Sequence, residues 1–228
     1  MSTTITAVSS MATRVILGEL SAQYEHSSGD KVDIRSMGGV DAARLVRAGE
    51  ITDVVVLASG VMDQLEAEGH LAAGSVRGVT RSGMSIVVRR GLPHPDISTE
   101  EAVRAAVSQA RKVGYSTGPS GDHLLKLCAN WGLQADDPRL VRAPPGVPVG
   151  QLVAQGDADL GFQQLSEFLG VEGIEILGPL PPEIQATTVF AAGVSATSTQ
   201  PQAARALIAY FTSAPTAETK RRNGMEPA

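Results

Sequence analysis

Short apolar segments alternate along the chain with longer segments whose apolar residues recur at helical spacing. Residues 5–8, 32–34 and 53–57 have the length of strands, and each precedes small or hydroxyl residues and then a helical pattern. Residues 53–57 are apolar at almost every position, which is typical of a parallel strand covered on both faces. The alternation predicts a doubly wound α/β fold with parallel strands.

The same alternation continues through the rest of the chain. Thr99 is predicted to cap a helix that ends near Gln109. Further strands are predicted at residues 84–88, 113–115, 140–141, 158–162, 174–177 and 187–192. The number of units predicts two lobes: residues 1–83 begin lobe 1, residues 84–188 form lobe 2, and residues 189–228 return to lobe 1. We expect each lobe to be a mostly parallel sheet flanked by helices, with a two-strand hinge.

The composition excludes several classes of protein. The 228 residues are 43% hydrophobic and 19% charged, which is typical of a globular chain. The net charge of −5 argues against nucleic-acid binding, because such binding needs a basic face. The single cysteine, Cys128, excludes an internal disulfide and a thiolate metal site, and its apolar helical face predicts a buried thiol. We expect no metal and no cofactor.

No segment predicts direct insertion into a membrane. The chain lacks a run of about 18 apolar residues, the length needed to cross a bilayer. Its first residues also lack the charged and apolar regions of an export signal. As written, the sequence predicts a cytoplasmic protein, and a periplasmic one if a leader has been removed.

Four strand-to-helix loops consist of small or hydroxyl residues and carry no Lys or Arg. They are Ser9-Ser10, Ser36-Met37-Gly38-Gly39, Pro119-Ser120-Gly121 and Pro145-Gly146-Val147. In doubly wound sheets ligands bind beyond the carboxyl ends of the strands, where helix N-termini offer unpaired N–H groups that suit anions. Helix capping explains any one of these loops, whereas all four together favour a neutral, hydrogen-bonding site for a small anion.

These loops also carry a resemblance to a known family. Residues 7–11, 35–39 and 119–121 resemble, in that order, the oxyanion loops of type II periplasmic solute-binding proteins of the molybdate-binding branch. Val147 and residues 156–162 are similar to later segments of that branch. The resemblance implies a two-lobed fold and a set of ligand-binding residues. This set is Ser9, Ser10, Met11, Ser36, Gly38, Gly39, Ser120, Gly121, Val147 and Gln164.

Gln164 departs from the pattern, since molybdate binders commonly have a tyrosine there. An amide offers two donors and an acceptor, which suits a carboxylic acid at least as well as a tetrahedral oxyanion. This feature and the missing signal resemble a side branch that includes aconitate isomerase, a solute-binding fold that catalyses a 1,3-proton shift. Such a reaction needs a base and groups that hold carboxylates. Glu167, His123 and Arg142 are the nearest candidates by segment, although Glu167 also fits an ordinary first-turn helix position.

Three hypotheses of function follow. The leading one is a solute-binding protein that closes over a small carboxylate or oxyanion in an interlobe cleft. The first alternative is an isomerase of the aconitate-isomerase type, acting on a polycarboxylate. The second is the molybdate-binding component of an ABC transporter, whose membrane component would be the partner. A sensor domain that signals ligand occupancy to a partner is a further class, but the sequence has no recognisable output segment for it. The sequence leaves open whether the chain is an enzyme.

Overall fold

The computed structural model describes residues 2–144 and 146–228; Pro145, part of the fourth predicted loop, lies outside the described residues. The chain divides into two compact units. Unit 1 consists of Met1–Arg81 and Thr188–Ala228, and unit 2 consists of Ser82–Thr187. In the part of the chain that the structure describes, no helix has the length and apolar character needed to span a membrane.

Strands and helices alternate as the pattern predicts. In the described residues the strands are β1 Thr4–Ser10, β2 Lys31–Met37, β3 Val54–Ala58, β4 Arg77–Arg89, β5 Val113–Tyr115, β6 Leu140–Arg142, β7 Leu160–Gln164, β8 Ile174–Pro179, β9 Thr187–Val194 and β10 Glu226–Pro227. The helices are α1 Arg14–Ser28, α2 Gly39–Arg47, α3 Ser59–Ala67, α4 Glu100–Gln109, α5 Pro119–Asn130, α6 Val149–Gln155, α7 Leu165–Phe168, α8 Pro201–Phe211 and α9 Ala217–Arg222. The predicted α/β class is confirmed.

Unit 1 is built on a sheet of strand order β2-β1-β3-β9. β1 runs parallel to β2 and β3, whereas β9 runs antiparallel to β3. Val54 and Val56 of β3 face the core made with α1 and α8, and Val55 and Leu57 face the core made with α2 and α3. Both faces of β3 are therefore covered, which explains its unbroken apolar sequence.

Unit 2 is built on a sheet in which β5 lies between β6 and β7 and runs parallel to both. β7 pairs in antiparallel fashion with β4, which also pairs with β8. Phe162 of β7 is buried in the core made with α4 and α5. Val87 of β4 faces the opposite core, where α6 and α7 pack. The carboxyl ends of β5, β6 and β7 thus lie at one edge of this sheet.

Several local predictions are confirmed, and β4 is much longer than predicted. Thr99 caps α4, since its hydroxyl accepts a hydrogen bond from the N–H of Ala102 at 3.2 Å. Cys128 is buried in the core of unit 2, and burial raises the pKa of its thiol to about 11. β4 begins at Arg77 rather than near residue 84: residues 77–83 include one apolar side chain, Val79, and Thr80 and Arg81 pair with β10.

Candidate functional site

Two of the predicted serines lie side by side in unit 1. Ser9 near the end of β1 is the register partner of Ser36 on β2, and their Oγ atoms are 2.8 Å apart. Parallel strands bring their carboxyl ends to the same edge of a sheet, so this register alone places both hydroxyls at that edge. We call these two residues the unit 1 serine pair.

The hydrogen bond within the unit 1 serine pair uses only one of its two hydroxyl protons. Each hydroxyl carries one proton, and one of the two lies between the two oxygens. Among the described residues, the other acceptor near Ser9 Oγ is the Ser10 carbonyl at 3.4 Å, which is a long contact. The pair can therefore donate a hydrogen bond to an anion without losing its internal bond.

The other predicted residues of unit 1 lie on the two loops that follow β1 and β2. Ser10 and Met11 lead into a single 3-10 turn, and the Thr13 hydroxyl donates to the Ser10 carbonyl at 3.1 Å. Gly38 caps α2 and Gly39 is its first residue. A Cβ added at Gly39 would meet no described atom within 4 Å, so the space beside this helix N-terminus is open.

Ser59 at the same edge is a candidate that the sequence reasoning missed. β3 runs parallel to β1, ends at Ala58, and is followed directly by Ser59 as the first residue of α3. A serine between a strand and a helix is the same pattern that pointed to Ser9 and Ser36. The side chain is half-buried.

In unit 2 a serine–glutamine cluster occupies the corresponding edge. Ser116 follows β5, Ser120 is the second residue of α5, and Gln164 ends β7. The Ser120 hydroxyl donates to Gln164 Oε1 at 2.9 Å, and Ser116 Oγ lies 3.0 Å from Ser120 Oγ. The structure thus brings the two predicted residues together and adds Ser116, which the sequence reasoning missed although it too directly follows a strand.

The hydroxyl protons of the serine–glutamine cluster are already used within it. Because the Ser120 hydroxyl donates its proton to Gln164 Oε1, Ser116 is the donor in its contact with Ser120. Ser116 Oγ in turn accepts from the N–H of Gly118 at 3.3 Å. The backbone N–H of Ser120 lies in the first turn of α5, where it has no intrahelical acceptor, so it can donate a hydrogen bond to an anion.

Gly121 permits the close approach on which this cluster depends. A Cβ added at Gly121 would overlap the backbone oxygen of Ser116 and come within 3.2 Å of the Tyr115 ring. Only glycine therefore lets the first turn of α5 press against the end of β5. The predicted role of Gly121 at the ligand stays a prediction, whereas its packing role is visible directly.

The side chain of Gln163 caps the N-terminus of α6. Its Oε1 accepts a hydrogen bond from the N–H of Val149, the first residue of α6, at 2.9 Å. The N–H of Val147 donates to the carbonyl of Pro144 at 3.0 Å, and the Val147 side chain packs against the core beneath α6. A ligand contact by Val147 stays a prediction.

Glu167 lies in α7, three residues beyond Gln164. The side chain is half-buried, and among the described residues its carboxyl has neither a hydrogen-bond nor an ion-pair partner. Burial raises the pKa of Glu167 to about 7, the direction predicted for a desolvated carboxyl. A carboxyl that is half-protonated near neutral pH can both take up and release a proton.

The other two predicted catalytic residues differ in their freedom. His123 Nε2 lies 2.8 Å from the carbonyl oxygen of Ile184; since that oxygen can only accept, Nε2 carries the proton and is committed to this bond. Arg142 is the last residue of β6 and is exposed. Within the described residues its guanidinium has no hydrogen-bond or ion-pair partner. The Nε2 proton of His123 is thus engaged within the protein, whereas the guanidinium of Arg142 is available for a ligand.

Comparison with known proteins decides the family. The family model for bacterial extracellular solute-binding proteins matches residues 5–226. The chain belongs to this family. An aconitate isomerase from a Pseudomonas species is 36% identical over 233 residues, which cover 99% of this solute-binding protein and 88% of the isomerase. The predicted solute-binding class, and the resemblance to a branch that includes aconitate isomerase, are both confirmed.

Solved structures share the fold at much lower identity. The periplasmic molybdate-binding protein of Azotobacter vinelandii superposes with a TM-score of 0.81 at 18% identity, covering 97% of this chain and 98% of that one. The sulfate-binding protein SubI of Mycobacterium tuberculosis H37Rv superposes with a TM-score of 0.77 at 17% identity, covering 99% and 87%. The predicted periplasmic-binding-protein-like fold is confirmed.

Proposed function

We propose that this solute-binding protein takes up a small carboxylate anion through neutral donors. The observation that carries the proposal is the gathering of hydroxyl, amide and backbone N–H groups at the carboxyl ends of parallel strands in each unit, in the unit 1 serine pair and in the serine–glutamine cluster. By the family resemblance, Gln164 stands where molybdate binders commonly have a tyrosine, and the relative at 36% identity is named for a tricarboxylate. Both favour a carboxylate over a tetrahedral oxyanion.

Thermal unfolding of the parent protein in the presence of candidate anions tests this proposal. A ligand at 100 times its Kd stabilises the folded state by about 2.7 kcal/mol, which raises Tm measurably. We expect trans-aconitate, citrate and tricarballylate to raise Tm, and molybdate, tungstate and sulfate to have a smaller effect. A shift produced by the inorganic anions alone would replace the carboxylate proposal with the molybdate-binding alternative.

Substitution of the two predicted serines tests where the anion binds. We expect Ser36→Ala to weaken binding of the best carboxylate about 10- to 150-fold, because a hydrogen bond to a charged group contributes about 1.5–3 kcal/mol. Ser120→Ala keeps the backbone N–H but removes the hydroxyl that holds Gln164 Oε1, so we expect it to weaken binding by a smaller factor. Isothermal calorimetry measures the affinities. Ser108→Ala is the matched control, since that hydroxyl is exposed on α4 and donates to the Arg104 carbonyl. Parent-like affinity in both serine variants would show that the site is wrongly placed.

A second candidate function is a 1,3-proton shift on the same ligand, and Glu167 favours it. In this step the Glu167 carboxylate removes a proton from a methylene that is bonded to a carboxylate group on one side and to a C=C bond on the other. The electron pair of the broken C–H bond moves into the carbon skeleton, the double bond shifts by one position, and the Glu167 carboxyl returns the proton to the far carbon. Atoms and charge balance without an oxidant or a cofactor.

A purely binding role would imply a second protein. A solute-binding protein that serves uptake passes its ligand to a membrane transporter, and we include such a transporter in the proposal for the case in which no turnover is found. Turnover of trans-aconitate and stoichiometric binding without turnover therefore distinguish the two candidates.

A further inference from the structure

Arg142 lies beside the serine–glutamine cluster at the carboxyl edge of unit 2. It ends β6, its register partner on β5 is Tyr115, and Ser116 of the cluster directly follows that tyrosine. The N–H of the next residue, Ala143, donates to the Tyr115 carbonyl at 2.8 Å, so the strands stay paired up to this point. Neighbouring strands are about 4.8 Å apart, which is within the reach of an arginine side chain.

No described residue neutralises the charge of Arg142. At the opposite edge of the same sheet, Arg111 pairs with Asp159 at 2.8 Å and Arg139 pairs with Asp137 at 2.8 Å. Arg142 is exposed, and no carboxylate of the described residues comes within ion-pair distance of it. Among the described residues, the arginines before β5 and β6 therefore have carboxylate partners, whereas Arg142 at the carboxyl edge has none.

We propose that Arg142 binds a second carboxylate of the ligand, and that the ligand class is therefore compounds with two or more carboxylates. The inference rests on the proposed function, in which neutral donors hold a first carboxylate. A guanidinium offers parallel N–H groups that match the two oxygens of a carboxylate, and it stays charged at any pH that the protein meets. A monocarboxylate or a compact inorganic anion would leave Arg142 unused.

Calorimetry with two chemically defined probes tests this assignment. Tricarballylate carries three carboxylates on a saturated chain and cannot undergo the proton shift, whereas crotonate carries one carboxylate. We expect Arg142→Ala to weaken tricarballylate binding about 10- to 150-fold and to leave crotonate binding unchanged. Arg142→Lys should recover only part of the loss, because an ammonium cannot form the paired contact. Arg104→Ala removes an exposed arginine on α4 of the same unit and should change neither affinity.

The outcomes separate this inference from the proposed function. If the parent protein binds neither tricarballylate nor crotonate, the carboxylate proposal itself fails. If the parent binds tricarballylate and Arg142→Ala binds it equally well, only the role of Arg142 is overturned. An equal loss of both probes in Arg142→Ala would also overturn it, since Arg142 would then act on the first carboxylate. Fluorescence of Trp131, the chain's single tryptophan, shows that unit 2 of each variant is folded.

Discussion

Replacing Glu167 with glutamine is expected to lower the rate of the proposed proton shift by about 10²- to 10⁴-fold, the usual contribution of a general acid–base group. Glutamine has nearly the same size and fills the same half-buried position in α7, but it can neither accept nor return the proton. Binding of tricarballylate, which undergoes no reaction, should stay at the level of the parent protein. The loss would then lie in turnover rather than in affinity.

Proton exchange into trans-aconitate in deuterated water, followed by NMR, measures this effect. Because burial raises the pKa of Glu167 to about 7, the carboxylate that acts as base accumulates only as the pH rises through that value, and the rate should rise with it. Parent-like exchange by Glu167→Gln would remove Glu167 from the mechanism. Exchange by neither protein would leave the binding function alone.

The stability of this variant provides an internal control with a definite sign. The folded-state pKa of Glu167 is raised above that of the unfolded chain, so the folded protein holds this proton more tightly and loses stability as the pH rises from the ordinary carboxyl range through about 7. Glutamine removes this loss. Glu167→Gln should therefore be at least as stable as the parent above neutral pH, and unfolding cannot explain its inactivity.

Gly121→Ala is expected to destabilise the protein by about 1–3 kcal/mol or more and to weaken anion binding, because the added methyl overlaps backbone rather than a movable side chain. Relief of the overlap requires α5 to move away from the end of β5. That movement separates Ser116 from Ser120 and shifts the backbone N–H offered to the ligand. Denaturant unfolding followed at Trp131 measures the stability, and calorimetry measures the binding.

Gly18→Ala is the matched control for this substitution. Gly18 is exposed within α1, and an added Cβ meets no described atom within 4 Å. Replacing glycine with alanine in an exposed helix interior stabilises by about 1 kcal/mol. Opposite signs for the two variants would establish the close approach at Gly121, whereas a neutral Gly121→Ala would show that α5 is not pressed against β5.

The elements of the fold were predictable because each is determined by residues close together in the sequence. A buried parallel strand requires a short apolar run, a helix requires apolar residues at helical spacing, and Thr99 is a capping residue wherever it precedes such a helix. The first half of β4 escaped prediction because residues 77–83 carry neither an apolar run nor an apolar alternation, and their pairing with β10 joins segments far apart in the sequence. Antiparallel pairing of β9 with β3 was equally invisible in a local pattern.

The candidate site was predictable only as a set of loops. Sequence spacing could place Ser9 and Ser36 at strand ends, but the contact between them depends on the register of two strands. It also could not show that His123 is tied to the carbonyl of Ile184, 61 residues away. Nor could it show that the Ser120 proton is directed at Gln164, because the direction of a hydroxyl proton depends on which acceptors the fold brings near.

The division of unit 1 into two stretches of chain has a consequence for the order of events during synthesis. Val54 of β3 pairs with Val194 of β9, and the helices that share one core, α1 and α8, come from opposite ends of the sequence. Unit 2, in contrast, is one continuous stretch. During synthesis, unit 2 can therefore fold while the first stretch of unit 1 still lacks the second stretch, which is made later. β3 is thus without its antiparallel partner β9 until all of unit 2 has been synthesised.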